Sequence, residues 1–115
     1  MFTSNEREQI CTKLVSATRQ DMRIIGAAHL GSRALGREDA WSDIDLALSL
    51  DPQSQFEAVI GDWTSRLYTE HDAVAHYDVR HGETLYRVFL LRNTLQVDIS
   101  FWPAEEFRAS AQSSS

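Results

Sequence analysis

The feature that most constrains the fold of this chain is a run, beginning at Asp43, in which every second residue is a large apolar one. In the run DIDLALSL, isoleucine and three leucines occupy every second position, and the first two intervening positions are aspartates. Because successive side chains of a β-strand point to opposite faces, this pattern predicts a strand over Ile44–Leu50 with one apolar face and with Asp43 and Asp45 on the other.

The two aspartates of this run create an electrostatic problem. Carboxylates held about 4 Å apart repel each other by roughly 4 kcal/mol at an effective dielectric constant near 20. Asp43 alone could be a cap at the start of the strand. Asp45 lies inside an apolar strand, where a carboxylate without a partner is costly, so the pair predicts a bound cation.

A third aspartate interrupts another apolar strand. In the predicted strand Leu95–Phe101, Asp98 and a serine occupy the face opposite to the apolar residues. If this strand lies beside the first, Asp43, Asp45 and Asp98 converge on the face of the sheet opposite the helices. Such a triad suits two divalent ions about 3.5–4 Å apart that clamp the attacking and leaving oxygens at phosphorus. Oxygen ligands favour Mg²⁺ over zinc.

Two arginines leave other interpretations of this strand open. An isolated Asp98 would be explained by an ion pair with Arg87 or Arg92. Arg87 interrupts an otherwise apolar strand, and the register of the hairpin decides whether it faces the phosphates of a substrate.

The turn before the aspartate strand is a candidate phosphate site. A predicted strand, Ile24–Leu30, ends at Gly31 and Ser32, and a single helical turn is expected over Arg33–Gly36. Backbone N–H groups and a hydroxyl at the start of a helical turn can bind an anion. Arg33 could reach the phosphates or be a solvated surface residue. No Gly-Lys-Ser/Thr sequence follows, so this is not a P-loop.

The remaining pattern predicts two helices and three further strands. The predicted helices are Ser4–Gln20, opened by a Thr3–Glu6 capping box, and a second that starts at Asp51–Pro52 and carries an apolar stripe from Phe56 to Leu67. The predicted strands are Ala73–Val79, Tyr86–Leu91 and Leu95–Phe101, the last two joined by a hairpin over Arg92–Thr94, and a short helix is expected over Ala104–Ala109. This order predicts an α+β fold, a mixed, largely antiparallel sheet with helices packed on one face.

Length and charge limit the classes of function. A chain of 115 residues predicts one domain, over residues 1–109, followed by a polar tail over 110–115 that is expected to be disordered. The net charge of −6 argues against nucleic acid as the main partner, because a phosphate backbone requires a basic surface. Cys11 is the single cysteine and no apolar run reaches the roughly 20 residues of a membrane span, which favours a cytoplasmic protein. The histidines at 71, 76 and 81 lack zinc-site spacing and are expected on the surface or on strands.

The combination of these motifs resembles a known family. Gly31-Ser32, ten residues, Asp43-Ile44-Asp45 and a later Asp98 in a strand are similar to the nucleotidyltransferase superfamily that includes DNA polymerase beta. The pattern most resembles the minimal nucleotidyltransferases, whose signature is G-S-x10-D-x-D. The resemblance implies that Gly31 and Ser32 hold the triphosphate, that Asp43 and Asp45 bind both metal ions, and that Asp98 completes one metal site and helps to activate the acceptor.

The resemblance also implies a reaction and a choice of acceptors. The family transfers a nucleoside monophosphate, here expected to be AMP, from Mg-NTP to a hydroxyl and releases pyrophosphate. Stand-alone minimal nucleotidyltransferases act as antitoxins that adenylylate a tyrosine of a HEPN partner, which is the first hypothesis. A small-molecule enzyme resembling the aminoglycoside or lincosamide nucleotidyltransferases is the second. A nucleotide-binding module without turnover is the third, and the intact triad argues against it.

Overall fold

The computed structural model of the protein describes residues 2–29 and 43–107. Within them the elements follow in the order α1 (Ser4–Gln20), β1 (Ile24–His29), β2 (Ile44–Leu50), α2 (Phe56–Glu70), β3 (Ala73–His81), β4 (Thr84–Leu91) and β5 (Gln96–Pro103). Residues 104–107 form a helical turn, as expected for the start of the short closing helix over Ala104–Ala109, and the last two of those positions lie outside the described residues. Neither α1 nor α2 is long and apolar enough to cross a membrane.

The strands form one mixed sheet in the order β1-β2-β5-β4-β3. Three of the neighbouring pairs are antiparallel, and β2 and β5 at the centre are parallel. The chain leaves β2, passes through α2, β3 and β4, and returns to place β5 against β2. The predicted α+β fold with a mixed, largely antiparallel sheet is confirmed.

One face of the sheet is covered by both helices. The alternation at β2 sends Ile44 and its three leucines into the core, and Leu14 of α1 and Trp63 of α2 pack against them. The same cluster contains the inward residues of β4 and β5, namely Leu85, Phe89, Leu91, Val97, Ile99 and Phe101. The helices therefore lie on one face, and the opposite face, which we call the open face, carries Asp45 and Asp98.

The two helices differ in how they begin. The hydroxyl of Thr3 accepts the Glu6 N–H at 3.0 Å and the Glu6 carboxylate accepts the Thr3 N–H at 2.8 Å, so the predicted capping box of α1 is confirmed. The predicted start of the second helix at Asp51–Pro52 is wrong. The Asp51 carboxylate instead accepts the Gln53 N–H at 2.9 Å and forms a local turn, and α2 begins only at Phe56.

Candidate active site

The parallel register of β2 and β5 brings two of the predicted site residues together. Asp45 and Asp98 are direct partners across these strands, and neighbouring strands lie about 4.8 Å apart. Both residues are half-buried. Two carboxylates that are distant in sequence therefore share the centre of the open face.

Asp43 lies at the start of β2 and is exposed. Its backbone carbonyl accepts a hydrogen bond from Nη2 of Arg7 at 3.3 Å, which ties α1 to this end of the strand. In the described ranges, no three His, Cys, Asp or Glu side chains are close enough together to hold a metal ion. The structure thus pairs Asp45 with Asp98, while the three-carboxylate metal site that includes Asp43 remains a prediction.

The environment of Asp98 disfavours its charged form. Burial raises the pKa of its carboxyl above the usual value, the side chain of Gln96 acts in the opposite direction, and the negative charges of Asp45 and Asp43 raise the pKa further. Among the described residues, no cationic group contributes to this shift. Two neighbouring carboxylates, of which Asp98 has a raised pKa, form a set of oxygen donors that fits a divalent cation such as Mg²⁺.

Gln96 is a residue of the site that the sequence analysis missed. Its Nε2 donates to Oδ1 of Asp98 at 3.2 Å and holds that carboxylate in place. The signal for it was present, since Gln96 precedes Asp98 by two positions and therefore shares its face of the strand.

The predicted phosphate-binding residues Gly31, Ser32 and Arg33 lie outside the described residues. The segment that contains them connects His29 to Asp43. The backbone of His29 pairs with Leu46, one residue from Asp45. Both ends of the segment therefore lie at the end of β2 that carries the aspartates.

Arg87 faces away from the carboxylates. Its partner across β4 and β5 is Ile99, a core residue, whereas the partner of Asp98 is Val88. The Arg87 guanidinium donates to both carboxylate oxygens of Asp78, at 2.6 and 2.7 Å, and to the hydroxyl of Thr64 on α2 at 2.9 Å. The register thus answers the question that the sequence left open, and Arg87 binds a helix and a neighbouring strand.

In the described ranges, no histidine belongs to a group of three His, Cys, Asp or Glu side chains close enough together to hold a metal ion, and one histidine is not where it was expected. His71 is 7% exposed, so the expectation of a surface or strand position is wrong for it. It caps the C-terminus of α2, and burial lowers the pKa of its ring. His76 lies on β3 as expected, with its Nδ1 at 2.8 Å from the hydroxyl of Tyr68.

Comparison with known proteins identifies solved structures that are similar to this chain. No protein-family model and no curated protein matches the chain. The solved structure of an aminoglycoside 6-adenyltransferase from Bacillus subtilis is similar with a TM-score of 0.62 and 13% identity, over 91% of this chain and 37% of the other. The Cid1 poly(U) polymerase with bound MgGTP is similar with a TM-score of 0.60 and 16% identity, over 85% and 32%.

A third similar structure is the polymerase core of TRAMP, an RNA surveillance complex. Its TM-score is 0.57 and its identity 18%, over 85% of this chain and 31% of the other. The chain therefore spans about a third of the length of the solved structures that it matches. The shared fold is that of the polymerase beta-like nucleotidyltransferases.

Proposed function

We propose, from the fold that this chain shares with polymerase beta-like nucleotidyltransferases, that it transfers a nucleoside monophosphate from an Mg-NTP to an acceptor hydroxyl. The observation that carries the proposal is the parallel register that sets Asp45 beside Asp98 on the open face. Neighbouring carboxylates are costly in a fold unless a cation binds them. ATP is the proposed donor, on the resemblance described above.

The residues of the chain divide into two groups in this proposal. Asp45 and Asp98 hold Mg²⁺, and Asp43 at the exposed start of β2 joins them. Gly31, Ser32 and Arg33 bind the triphosphate. Bound Mg²⁺ supplies charge neutralisation at the phosphates and at the leaving pyrophosphate.

The transfer is a single displacement at phosphorus. The acceptor oxygen forms a bond to the α-phosphorus, the bond from that phosphorus to the α,β-bridging oxygen breaks, and pyrophosphate leaves. The hydroxyl proton passes to a base. We assign the positioning and activation of the acceptor hydroxyl to Asp98, because it lies beside Asp45 at the centre of the open face.

Three acceptor hypotheses follow from this function. The first is a tyrosine of a HEPN-type toxin, which would make the chain an antitoxin. The second is a small molecule, which the structural likeness to an aminoglycoside 6-adenyltransferase favours. The third is a module that binds nucleotide without turnover, and it would bind Mg-ATP and transfer nothing.

The test is transfer of label from [α-³²P]ATP in the presence of Mg²⁺ and cell lysate. We expect Asp45→Asn, Asp43→Asn and Asp98→Asn each to reduce the transfer by about a thousandfold or more. Each substitution replaces a negatively charged carboxylate of the proposed Mg²⁺ site with a neutral amide. Asp62→Asn is the matched control, since its carboxylate is exposed and binds Arg23 away from the open face. Wild-type activity in Asp45→Asn would contradict the mechanism.

A further inference from the structure

The outermost strand of the sheet, β3, has an edge that pairs with no other strand among the described residues. It is paired with β4 on one side only. With nine residues it is the longest of the described strands, and each of its residues after Ala73 is exposed. Its large apolar side chains, Val74, Tyr77 and Val79, are 47%, 60% and 51% exposed. A long and exposed edge strand is a template for pairing with a strand of another molecule.

The usual protection of an edge strand is weak in β3. Edge strands are commonly blocked by Lys, by Pro or by a bulge. β3 contains neither Lys nor Pro, and its bulge lies at its beginning, between Ala73 and Ala75. Its acidic and basic side chains are Asp78 and Arg80, and the Asp78 carboxylate is already bound by the Arg87 guanidinium at 2.6 and 2.7 Å. A second strand would therefore meet no unpaired carboxylate on β3.

The turn between β3 and β4 determines which backbone groups face this edge. His81 and Thr84 are partners on either side of the two-residue turn formed by Gly82 and Glu83, and Gly82 has a φ of 63°. The pair that closes such a turn is hydrogen bonded, and hydrogen-bonded pairs alternate along an antiparallel ladder. The N–H and C=O groups that point away from β4 therefore belong to every second residue of β3, namely His76, Asp78 and Arg80.

A second copy of β3 can pair antiparallel with these groups, and charge distinguishes the registers. A register centred on Tyr77 places His76 of each copy opposite Asp78 of the other. A register centred on Asp78 sets two aspartates against each other and His76 against Arg80, which is unfavourable for like charges. A register centred on Val79 avoids this, but it pairs only residues 77–81, whereas the register centred on Tyr77 spans residues 73–81, the whole strand.

The side chains fit the register centred on Tyr77 on both faces of the sheet. The Nδ1 of His76 lies 2.8 Å from the Tyr68 hydroxyl. When Nδ1 accepts from that hydroxyl, Nε2 carries the proton and can donate to the Asp78 carboxylate of the other copy. On the open face, Tyr77 would lie opposite Tyr77 and Val79 opposite Ala75, and such apolar cross-strand pairs are stabilising.

We infer that the partner of β3 is a second copy of this chain, and that the two copies pair β3 with β3 in the antiparallel register centred on Tyr77. The two five-stranded sheets then become one sheet of ten strands. A two-fold axis relates the copies, so each contact of one copy is repeated by the other. This association goes beyond the proposed function and does not depend on it.

The register also determines where the two candidate active sites lie. Asp45, Asp98, Val88 and Tyr77 are successive partners across β2, β5, β4 and β3. Pairing at Tyr77 continues this row into the second copy. The two-fold axis is perpendicular to the sheet, so both open faces lie on the same side of the dimer. Five strand spacings of about 4.8 Å put the two Asp98 residues roughly 24 Å apart on one surface.

Cysteine crosslinking of the purified chain tests the register. Tyr77 would form a non-hydrogen-bonded pair with its equivalent, in which the Cα atoms lie about 4.5 Å apart, within the range of a disulfide. Tyr77→Cys should therefore form an intermolecular disulfide at least tenfold faster than Val79→Cys. Val79→Cys is the matched control on the same face of the strand, because its Cα atoms would lie roughly 14 Å apart. Wild type, with Cys11 as its single cysteine, controls for the native thiol.

Sedimentation velocity over a range of protein concentrations measures the association without a crosslink. We expect wild type to form a dimer and His76→Pro to raise its Kd at least tenfold, because proline removes an N–H that faces the free edge and none that binds β4. Met22→Glu, at a residue that is 92% exposed between α1 and β1, should dimerise like wild type. If thermal unfolding shows that His76→Pro does not fold, His76→Glu takes its place, since it sets like charges opposite each other.

Three other outcomes overturn the inference in distinguishable ways. A wild-type chain that sediments as a monomer at every concentration refutes the dimer. A dimer that persists unchanged in His76→Pro or His76→Glu places the contact on another surface. A dimer that crosslinks through Val79→Cys and not through Tyr77→Cys refutes the register centred on Tyr77.

Discussion

At the scale of single residues, Asp98 carries an electrostatic cost in the metal-free protein. Burial and the charges of Asp45 and Asp43 raise its pKa, so the folded state disfavours the carboxylate relative to the unfolded chain. This cost is absent when the pH is below about 3.8, the pKa of the Asp98 carboxyl in the unfolded chain. It grows as the pH rises from there through the higher pKa of the same carboxyl in the folded protein.

Asp98→Asn should therefore leave the metal-free protein equally stable or more stable at pH 7. The asparagine is neutral at every pH and its amide oxygen can still accept from Gln96. The measurement is thermal unfolding in EDTA at pH 7 and at pH 3.5, where the difference should disappear. A variant that is less stable than wild type at pH 7 would show that Asp98 is held by a favourable interaction.

At the scale of elements, Asp21 joins α1, β1 and α2. Its carboxylate accepts from Nε and Nη2 of Arg23 at 2.9 and 2.8 Å, and from the indole N–H of Trp63 at 3.1 Å, while Arg23 also reaches Asp62. The hydrogen bonds from Arg23 lower the pKa of Asp21 to about 2 from 3.8. The depressed pKa gives stability that is present above 3.8 and is lost as the pH falls toward 2.

Asp21→Asn should lower the free energy of unfolding by about 2 kcal/mol at pH 7, from 1.36 kcal/mol per pKa unit. Chemical denaturation at pH 7 and at pH 2.5 measures this, and the difference between the variant and wild type should shrink at the lower pH. An equal difference at both pH values would mean that packing and not charge is responsible. Nucleotide transfer should be unchanged.

Arg87 connects the outer strands to α2. Arg87→Ala should lower the free energy of unfolding by about 1–2 kcal/mol, because it removes hydrogen bonds to Thr64 and Asp78 that are partly exposed. The KM for the nucleotide should stay at the wild-type value, since the side chain lies on the helix face. A KM that rises tenfold in a folded variant would instead place Arg87 at the phosphates.

The elements were the most predictable part of the molecule. The alternation at Ile44–Leu50 and the capping box before Ser4 fixed β2 and α1 at their observed bounds, because both depend on local geometry. The beginning of α2 was mispredicted because the Asp51 carboxylate accepts a hydrogen bond from the Gln53 N–H in a local turn and does not cap a helix. Strand ends in the outer hairpin were also misjudged, since β3 extends to His81 and β4 starts at Thr84.

The site was predictable only in part, because its geometry is set by contacts between distant segments. That Asp98 shares a face with Ser100 follows from alternation, but its position beside Asp45 requires the pairing of β2 with β5. The face of Arg87 and the burial of His71 depend in the same way on register and packing. Gln96 could have been found, since spacing by two on one strand is a local signal.

At the scale of the whole molecule, metal binding should increase the free energy of unfolding. A ligand that binds only the folded state adds about 1.4 kcal/mol at ten times its Kd. We expect Mg²⁺ to raise the Tm of wild type and to have no effect on Asp45→Asn, measured by calorimetry in matched ionic strength. An equal Mg²⁺ shift in both proteins would place the ion elsewhere.

The parallel pairing of β2 with β5 also has a kinetic consequence. The strands β3, β4 and β5 follow one another through short turns at Gly82 and Thr94 and can pair locally. The contact between Asp45 and Asp98 joins positions whose numbers differ by 53, so loop-closure entropy delays it. We therefore expect the two carboxylates to meet late in folding, so that a partly folded chain lacks the pair that would attract a metal ion.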